Sequence, residues 1–232
     1  MSAPVAPPQT APIRVLIADD QALIRGGFRL ILAHEPRITV AAEACDGVEA
    51  VAAVRAQLAD VVLMDVLMPR LDGIEATAQI NRLPDPPAVV MLTTFDVDEY
   101  VYRAMKAGAC GFLLKDAPQE QLVGAVIAAA AGLPTVAPAV ITRMAARFAP
   151  AAAGAQRWAG LSQLTSRETD VLRVLATGAS NAEIARQLFI SDSTVKSHVA
   201  HLLAKLELNS RAQAVVVAYE SGLIDPASAH QR

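Results

Sequence analysis

Five times between Ile13 and Lys115 a short, almost wholly apolar run alternates with a helix-length amphipathic stretch. The runs are IRVLIA (13–18), ITVAAE (38–43), DVVLM (60–64), AVVML (88–92) and GFLLK (111–115). A strand that is apolar on both faces must be covered on both, and strands joined through helices run parallel. The pattern therefore predicts a five-stranded parallel sheet with helices on each side. In the first intervening segment, 21–33, Ile24, Phe28 and Ile31 share one face at i, i+4 and i+7, as a helix packed on such a sheet requires. The last helix is expected to end near Ala131, with Gly132 and Pro134 as stop signals.

The character of the chain then changes. Residues 134–161 are rich in Ala, Pro and Gly and read as a linker, with one short helix expected at 139–148 carrying Arg143 and Arg147. From Thr165 onward no strand pattern occurs. Thr165 to Glu168, Ser180 to Glu183 and Ser210 to Gln213 repeat the spacing of a capping box, in which a hydroxyl and a carboxylate or amide satisfy each other's backbone amides. Helices are predicted near 166–177, 181–188, 192–206 and 211–221, with Gly178 and Gly222 closing the first and last. The expected organisation is a disordered tail at 1–11, an α/β domain at 12–133 and the linker at 134–161. An all-α four-helix domain at 162–225 and a tail at 226–232 complete it. The fold class is a five-stranded, doubly wound, flavodoxin-like sheet followed by an all-α unit.

Charge separates the same two halves. Residues 12–133 hold 10 Lys and Arg against 16 Asp and Glu, whereas residues 134–232 hold 10 against 7. An acidic unit joined to a mildly basic one suits a cation-binding module tethered to a nucleic-acid reader. Hydrophobic residues make up 53% of the chain, which excludes disorder for most of it. Cys45 and Cys110, without metal-ligand spacing, read as small core residues of a cytoplasmic protein. Residues 1–11 lack the apolar core of a signal peptide. The uncharged stretch 121–142 is long enough to span a bilayer, but Gly124, Gly132, Pro134 and Pro138 interrupt it, so no membrane span is expected.

In an open parallel sheet the ligand lies beyond the carboxyl ends of the strands where their order reverses, here between strands one and three. Strand one ends in Asp19-Asp20 and strand three in Asp65. Three converging carboxylates repel one another unless a cation sits among them, and an all-oxygen ligand set with room for water suits Mg²⁺. Strand four contributes Thr93 and strand five Lys115 to the same rim. Together these groups form a site for one phosphoryl group: a carboxylate nucleophile, a cation clamp and two donors for the phosphoryl oxygens. A lone Asp at a strand end is usually a helix N-cap; five such groups at four strand ends are not explained that way.

At LIADD, VVLMDVLMPRLDG, LTTFD and GACGFLLKD the chain resembles the receiver domains of response regulators, over residues 12–133. The resemblance implies that Asp65 takes a phosphoryl group from the phosphohistidine of a sensor histidine kinase. It implies Mg²⁺ binding by Asp20, Asp65 and the backbone carbonyl of Leu67, with Asp19 acting through water, and Thr93 and Lys115 on the phosphoryl oxygens. Phe112 stands at the position where a ring is expected to turn inward as Thr93 moves. Side chains two apart on an extended segment point the same way, so Leu67 and Phe95, aided by Thr94, are expected to shield the phosphoryl group from water and lengthen its life.

Helices 181–188 and 192–206, joined by Phe189-Ile190-Ser191, have helix-turn-helix spacing. Val195, Val199, Leu202 and Leu206 form one apolar stripe on the second helix, and Ser193, Lys196, Ser197, Ala200, His201 and Ala204 lie opposite. The segment from Leu164 to Leu208 is similar to the LuxR-type effector domain of the NarL/FixJ family of response regulators. The similarity implies insertion of 192–206 into the major groove of promoter DNA, with Lys196 and Ser197 facing bases. Thr194, His198, Lys205 and Arg211 would meet phosphates, and activated copies would form a homodimer through 211–221. Ala212, Val215, Val216 and Tyr219 share one face of that last helix. Ala200 departs from relatives that carry a second base-reading lysine there; it can touch a thymine methyl but cannot donate to guanine. The pair His198 and His201, with no further ligand nearby, is read as surface polarity and not as a metal site.

The function expected is a phosphorylation-activated transcription regulator that is no enzyme beyond its own phosphorylation and dephosphorylation. An alternative keeps the DNA-binding unit but makes the receiver structural and phosphorylation-independent. A phosphotransferase of the haloacid-dehalogenase type also uses Asp, Mg²⁺, Thr and Lys. It needs a second Asp two residues after a nucleophile on strand one, and this chain has adjacent aspartates there.

Overall fold

The computed structural model describes residues 11–94, 98–133 and 159–224. The first unit alternates β1 (Ile13–Ala18), α1 (Ala22–Leu32), β2 (Ile38–Ala44), α2 (Gly47–Arg55) and β3 (Val61–Asp65). It continues through α3 (Gly73–Ile80), β4 (Ala88–Thr93), α4 (Asp98–Ala107), β5 (Gly111–Leu114) and α5 (Gln119–Ala130). All strand pairs are parallel, in the order β2-β1-β3-β4-β5.

Alternation along the central strands divides two cores. Leu16, Ala18, Val62, Met64, Val89 and Met91 pack on one side with residues of α2, α3 and α4. Val15, Ile17, Val61, Leu63, Val90 and Leu92 pack on the other with Phe28 and Leu32 of α1 and Leu122 and Val126 of α5. Each of these aliphatic side chains contributes roughly 1.5–3 kcal/mol on burial, and together they hold the strand ends in register. The edge strand β2 departs from the expectation of strands buried on both faces: it has one strand neighbour, and its burial alternates. Cys45, expected in a core, is exposed, and Cys110 is half-buried.

The second unit opens with a 3₁₀ turn (Ala159–Gln163), followed by α6 (Ser166–Ala176), α7 (Asn181–Leu188), α8 (Asp192–Lys205) and α9 (Arg211–Glu220). The 3₁₀ turn falls within the stretch expected as linker, yet Leu161 packs into the helical core. Reciprocal capping boxes form at Thr165/Glu168 and Ser180/Glu183. At Ser210 the box is broken: its side chain accepts from the Gln213 amide, but Gln213 Oε1 turns instead to the Asn209 amide at 2.8 Å. The short helix expected at 139–148 and the shielding residue Phe95 lie outside the described residues. Among the described residues no helix is long and apolar enough to cross a membrane.

Candidate functional site

The crevice beyond the strand ends gathers the expected groups. One carboxylate oxygen from each of Asp19, Asp20 and Asp65 lies within 4.8 Å of the others. Asp19 and Asp65 are buried and Asp20 is exposed, so the cluster opens to solvent at one edge only. Lys115 Nζ stands 2.6 Å from Asp19 Oδ2 and 2.9 Å from Asp65 Oδ2. One ammonium thus ties both buried carboxylates together. Burial pushes the Asp65 carboxyl above the usual range; Lys115 opposes this, and the charge of Asp19 adds to it. Burial works against the Lys115 ammonium, but its bonds to Asp19 and Asp65 prevail and raise it. Thr93 is buried at the end of β4, and the Lys115 amide donates to its carbonyl at 2.7 Å.

Two backbone features seat the nucleophile. The Gly73 amide donates to the Val66 carbonyl at 2.9 Å, and a Cβ on Gly73 would come 1.8 Å from the carbonyl oxygen of Asp65. Only glycine admits that approach. The intervening loop is tied to α2 by Arg70, which meets both Asp46 and Glu49, the latter at 3.1 Å. Cys45, Asp46 and Glu49 also bring three potential metal ligands together. Arg70 already supplies the cation there. Leu67, two residues after Asp65, is 57% exposed.

In the helical unit Val195, Leu202 and Leu206 are buried and Val199 is half-buried, so the apolar stripe of α8 faces the core. Ser193, Lys196, Ser197, Ala200 and His201 are exposed, and Thr194 and His198 are half-buried. Among the described residues Lys196 makes only an exposed pair with Asp192 at 3.1 Å, a contact weak enough to be exchanged for another partner.

Three groups expected at interfaces have partners within the chain. Lys205 is engaged within the fold: its ammonium donates to the buried Glu168 at 2.7 Å and, with Thr165, holds that carboxyl down to about 2. Arg211 donates to Asn181 Oδ1 at 2.8 Å and to the Ala179 carbonyl, bracing α9 against α7. The face Ala212, Val215, Val216 and Tyr219 is buried within one chain, in an apolar cluster shared with Val101, Tyr102 and Met105 of α4.

That cluster joins the two units, and polar contacts surround it. Tyr102 donates to Glu220 Oε1 at 2.8 Å and Lys106 to the same oxygen at 2.6 Å. Asn209 donates to the Asn81 carbonyl at 2.7 Å, and Ser210 to the Ala109 carbonyl at 3.3 Å. Phe112 is half-buried and packs against both this cluster and the core beneath the sheet. A cleft of about 840 Å³ separates one flank of α8, with Asp192, Lys196 and Leu203, from Asn81, Asp85 and Pro86 of the first unit. Sequence reasoning missed the partners of this junction, because Tyr102 and Glu220 lie 118 residues apart and nothing in either local pattern points to the other.

Residues 15–127 match the response regulator receiver domain, and residues 162–218 match the bacterial regulatory proteins of the luxR family. An uncharacterized transcriptional regulatory protein of Bacillus subtilis, YxjL, is 43% identical over 91% of this chain and 97% of its own. The chain belongs to the two-component response regulators. The B. subtilis transcriptional regulatory protein LiaR is 38% identical over 92% of the chain and all of LiaR. Among solved structures, the response regulator ChrA of a heme-sensing two-component system is 37% identical over 93% of the chain and 100% of its own, with a TM-score of 0.50. The receiver of the putative response regulator NarL from Mycobacterium tuberculosis is 36% identical over 53% of the chain and 99% of its own, with a TM-score of 0.52. The response regulator thus pairs a receiver with a LuxR-type helix-turn-helix domain and is a DNA-binding transcription regulator.

Proposed function

We propose that Asp65 accepts a phosphoryl group from a sensor histidine kinase and that this frees the helix-turn-helix domain to dimerise and bind promoter DNA. The observation that carries the reading is the convergence of Asp19, Asp20, Asp65 and Lys115 in one largely buried crevice. The carboxylate of Asp65 forms a bond to phosphorus as the bond from phosphorus to the donor imidazole breaks, and the imidazole keeps the electron pair and takes up a proton. Lys115, already against the acceptor carboxylate, is within reach of the new phosphoryl oxygens, and the Thr93 hydroxyl supplies a second donor.

Mg²⁺ fits the donor set: three carboxylates on an opening to water, two of them buried. Asp20, Asp65 and the Leu67 carbonyl would hold it directly and Asp19 through water. When bound, it neutralises the carboxylates and the charge developing on the transferred group.

The junction of the two domains supports the output half of the reading. The apolar face suited to dimerisation is covered by α4, and Phe112 touches that cluster from the side of the phosphorylation site. A phosphoryl group adds about −1.5 to −2 charges beside Lys115, enough to shift a balanced equilibrium. In the released state Lys196 and Ser197 would face bases and Thr194 and His198 phosphates. The test is sedimentation and DNA affinity before and after treatment with acetyl phosphate and Mg²⁺. Both should rise in wild type and neither in Asp65→Ala; equal values throughout would favour a structural, phosphorylation-independent receiver.

A further inference from the structure

The turn between β1 and α1 carries two of the three carboxylates, yet its own sequence does little to brace it. Gln21 at the helix N-cap makes no side-chain cap bond, and the first turn has no acidic residue. The brace comes from the next turn of α1. Arg25 Nη1 donates to the carbonyl oxygen of Asp19 at 2.8 Å, and its Nε pairs with Glu43 Oε2 of β2 at 3.2 Å. Arg29 reaches the same Glu43 at 3.3 Å, but among the described residues its side chain makes no bond to the turn. The two also differ in burial, with 17% of the Arg25 side chain exposed against 59% for Arg29.

The remaining polar atoms of Asp19 are already occupied. Its amide donates to the Ala44 carbonyl at 3.1 Å, Oδ1 accepts from the Gln21 amide at 2.9 Å, and Oδ2 lies against Lys115. The carbonyl held by Arg25 belongs to the peptide that joins Asp19 to Asp20. Its direction therefore sets where the exposed Asp20 carboxylate starts from, and with it the width of the cation site.

We propose that Arg25, gripped by Glu43, is a positioning residue that orients the Asp19-Asp20 turn for divalent-cation binding. The proposal rests on the reading of Asp19, Asp20 and Asp65 as that site. Its sign separates it from simple electrostatics. Removing a positive charge near three carboxylates strengthens cation binding if charge is all that Arg25 contributes, whereas loss of orientation weakens it. Groups that orient metal ligands change affinity by about 10- to 100-fold. Arg25 acts on a backbone carbonyl and not on a ligand atom, so the low end, about tenfold, is expected.

The experiment titrates the full chain with Mn²⁺ and counts the free ion by electron paramagnetic resonance, a readout independent of phosphorylation. Arg25→Ala should weaken Mn²⁺ binding about tenfold. Arg25→Lys, which keeps a donor within reach of the carbonyl and guards against a folding defect, should recover most of it. Glu43→Gln should weaken binding less than Arg25→Ala, and Arg29→Ala should not change it. Saturating Mg²⁺ should restore the acetyl-phosphate labelling rate of Arg25→Ala. Binding in Arg25→Ala equal to or tighter than wild type overturns the proposal, as does an equal loss in Arg29→Ala. If wild type and Asp65→Asn give the same titration, the assignment of the cation site itself fails and the proposal with it.

Discussion

Glu220→Ala tests whether the docked arrangement restrains DNA binding. The carboxylate accepts from Tyr102 at 2.8 Å and from Lys106 at 2.6 Å. The Tyr102 hydroxyl is held by a charged acceptor in a mostly buried setting, and a bond of that kind contributes about 1.5–3 kcal/mol. Lys106 is 58% exposed, so its pair with Glu220 adds only about 0.2–1 kcal/mol. In the undocked state water replaces both partners, so the loss falls on the docked state. A shift of about 2–3 kcal/mol changes the ratio of docked to undocked forms by roughly 30- to 150-fold. The assay is fluorescence anisotropy on a duplex selected from random sequence, with sedimentation velocity alongside, using unphosphorylated protein. Apparent affinity scales with the undocked fraction, so Glu220→Ala should bind DNA markedly more tightly than wild type and gain less on phosphorylation. Glu220→Gln, whose amide oxygen still accepts from Tyr102, should fall between. If Glu220→Ala leaves both unphosphorylated affinity and sedimentation at wild-type values, the docked face is not what restrains the domain.

Four further outcomes follow from individual residues. Glu168 is held well below the ordinary carboxylate range by Lys205, so its stabilising effect is full above pH 4.5 and disappears as pH falls through about 2. Thermal melts across that window should show a fall in the helical domain's stability for wild type that is absent in Glu168→Gln. Lys205→Ala should lower Tm while leaving the salt dependence of DNA binding unchanged, because its ammonium is committed inside the fold. Lys196→Ala should weaken specific binding by about 1–3 kcal/mol and relax one base position, read by comparing selected sites for the two proteins; a uniform loss on all sequences would move Lys196 to the phosphate-contacting class. Leu67→Asn should shorten the life of the phosphoprotein, and a tenfold faster decay needs only about 1.4 kcal/mol less barrier; an unchanged decay rate would remove Leu67 as a water shield.

The sheet and the acidic crevice were legible because local pattern determines them. Apolar runs of strand length recur at helix spacing, and chain topology alone carries Asp19, Asp65, Thr93 and Lys115 to one edge. Capping boxes at Thr165 and Ser180 were readable for the same reason, since cap and partner are three residues apart. What local pattern does not show is a long side chain's distant partner. Lys205 and Arg211 have the composition of phosphate binders, and the sequence gives no sign that they also reach Glu168 and the Ala179 carbonyl. The apolar face of α9 was read as a dimerisation face, and here α4 covers it. Periodicity shows that a face must be buried without saying whether α4 or a second copy buries it. Gly73 and Arg25 were missed because their roles depend on backbone carbonyls, which leave no mark in the pattern of side chains.

The central claim is that Asp65 is the phosphoacceptor, and intact-mass spectrometry after incubation with acetyl phosphate and Mg²⁺ tests it most directly. Wild type should gain one phosphoryl group, lost on treatment with hydroxylamine as an acyl phosphate is, and Asp65→Ala should gain none. Labelling of Asp65→Ala at the wild-type rate, or a wild-type protein that takes up no phosphoryl group, would contradict the account.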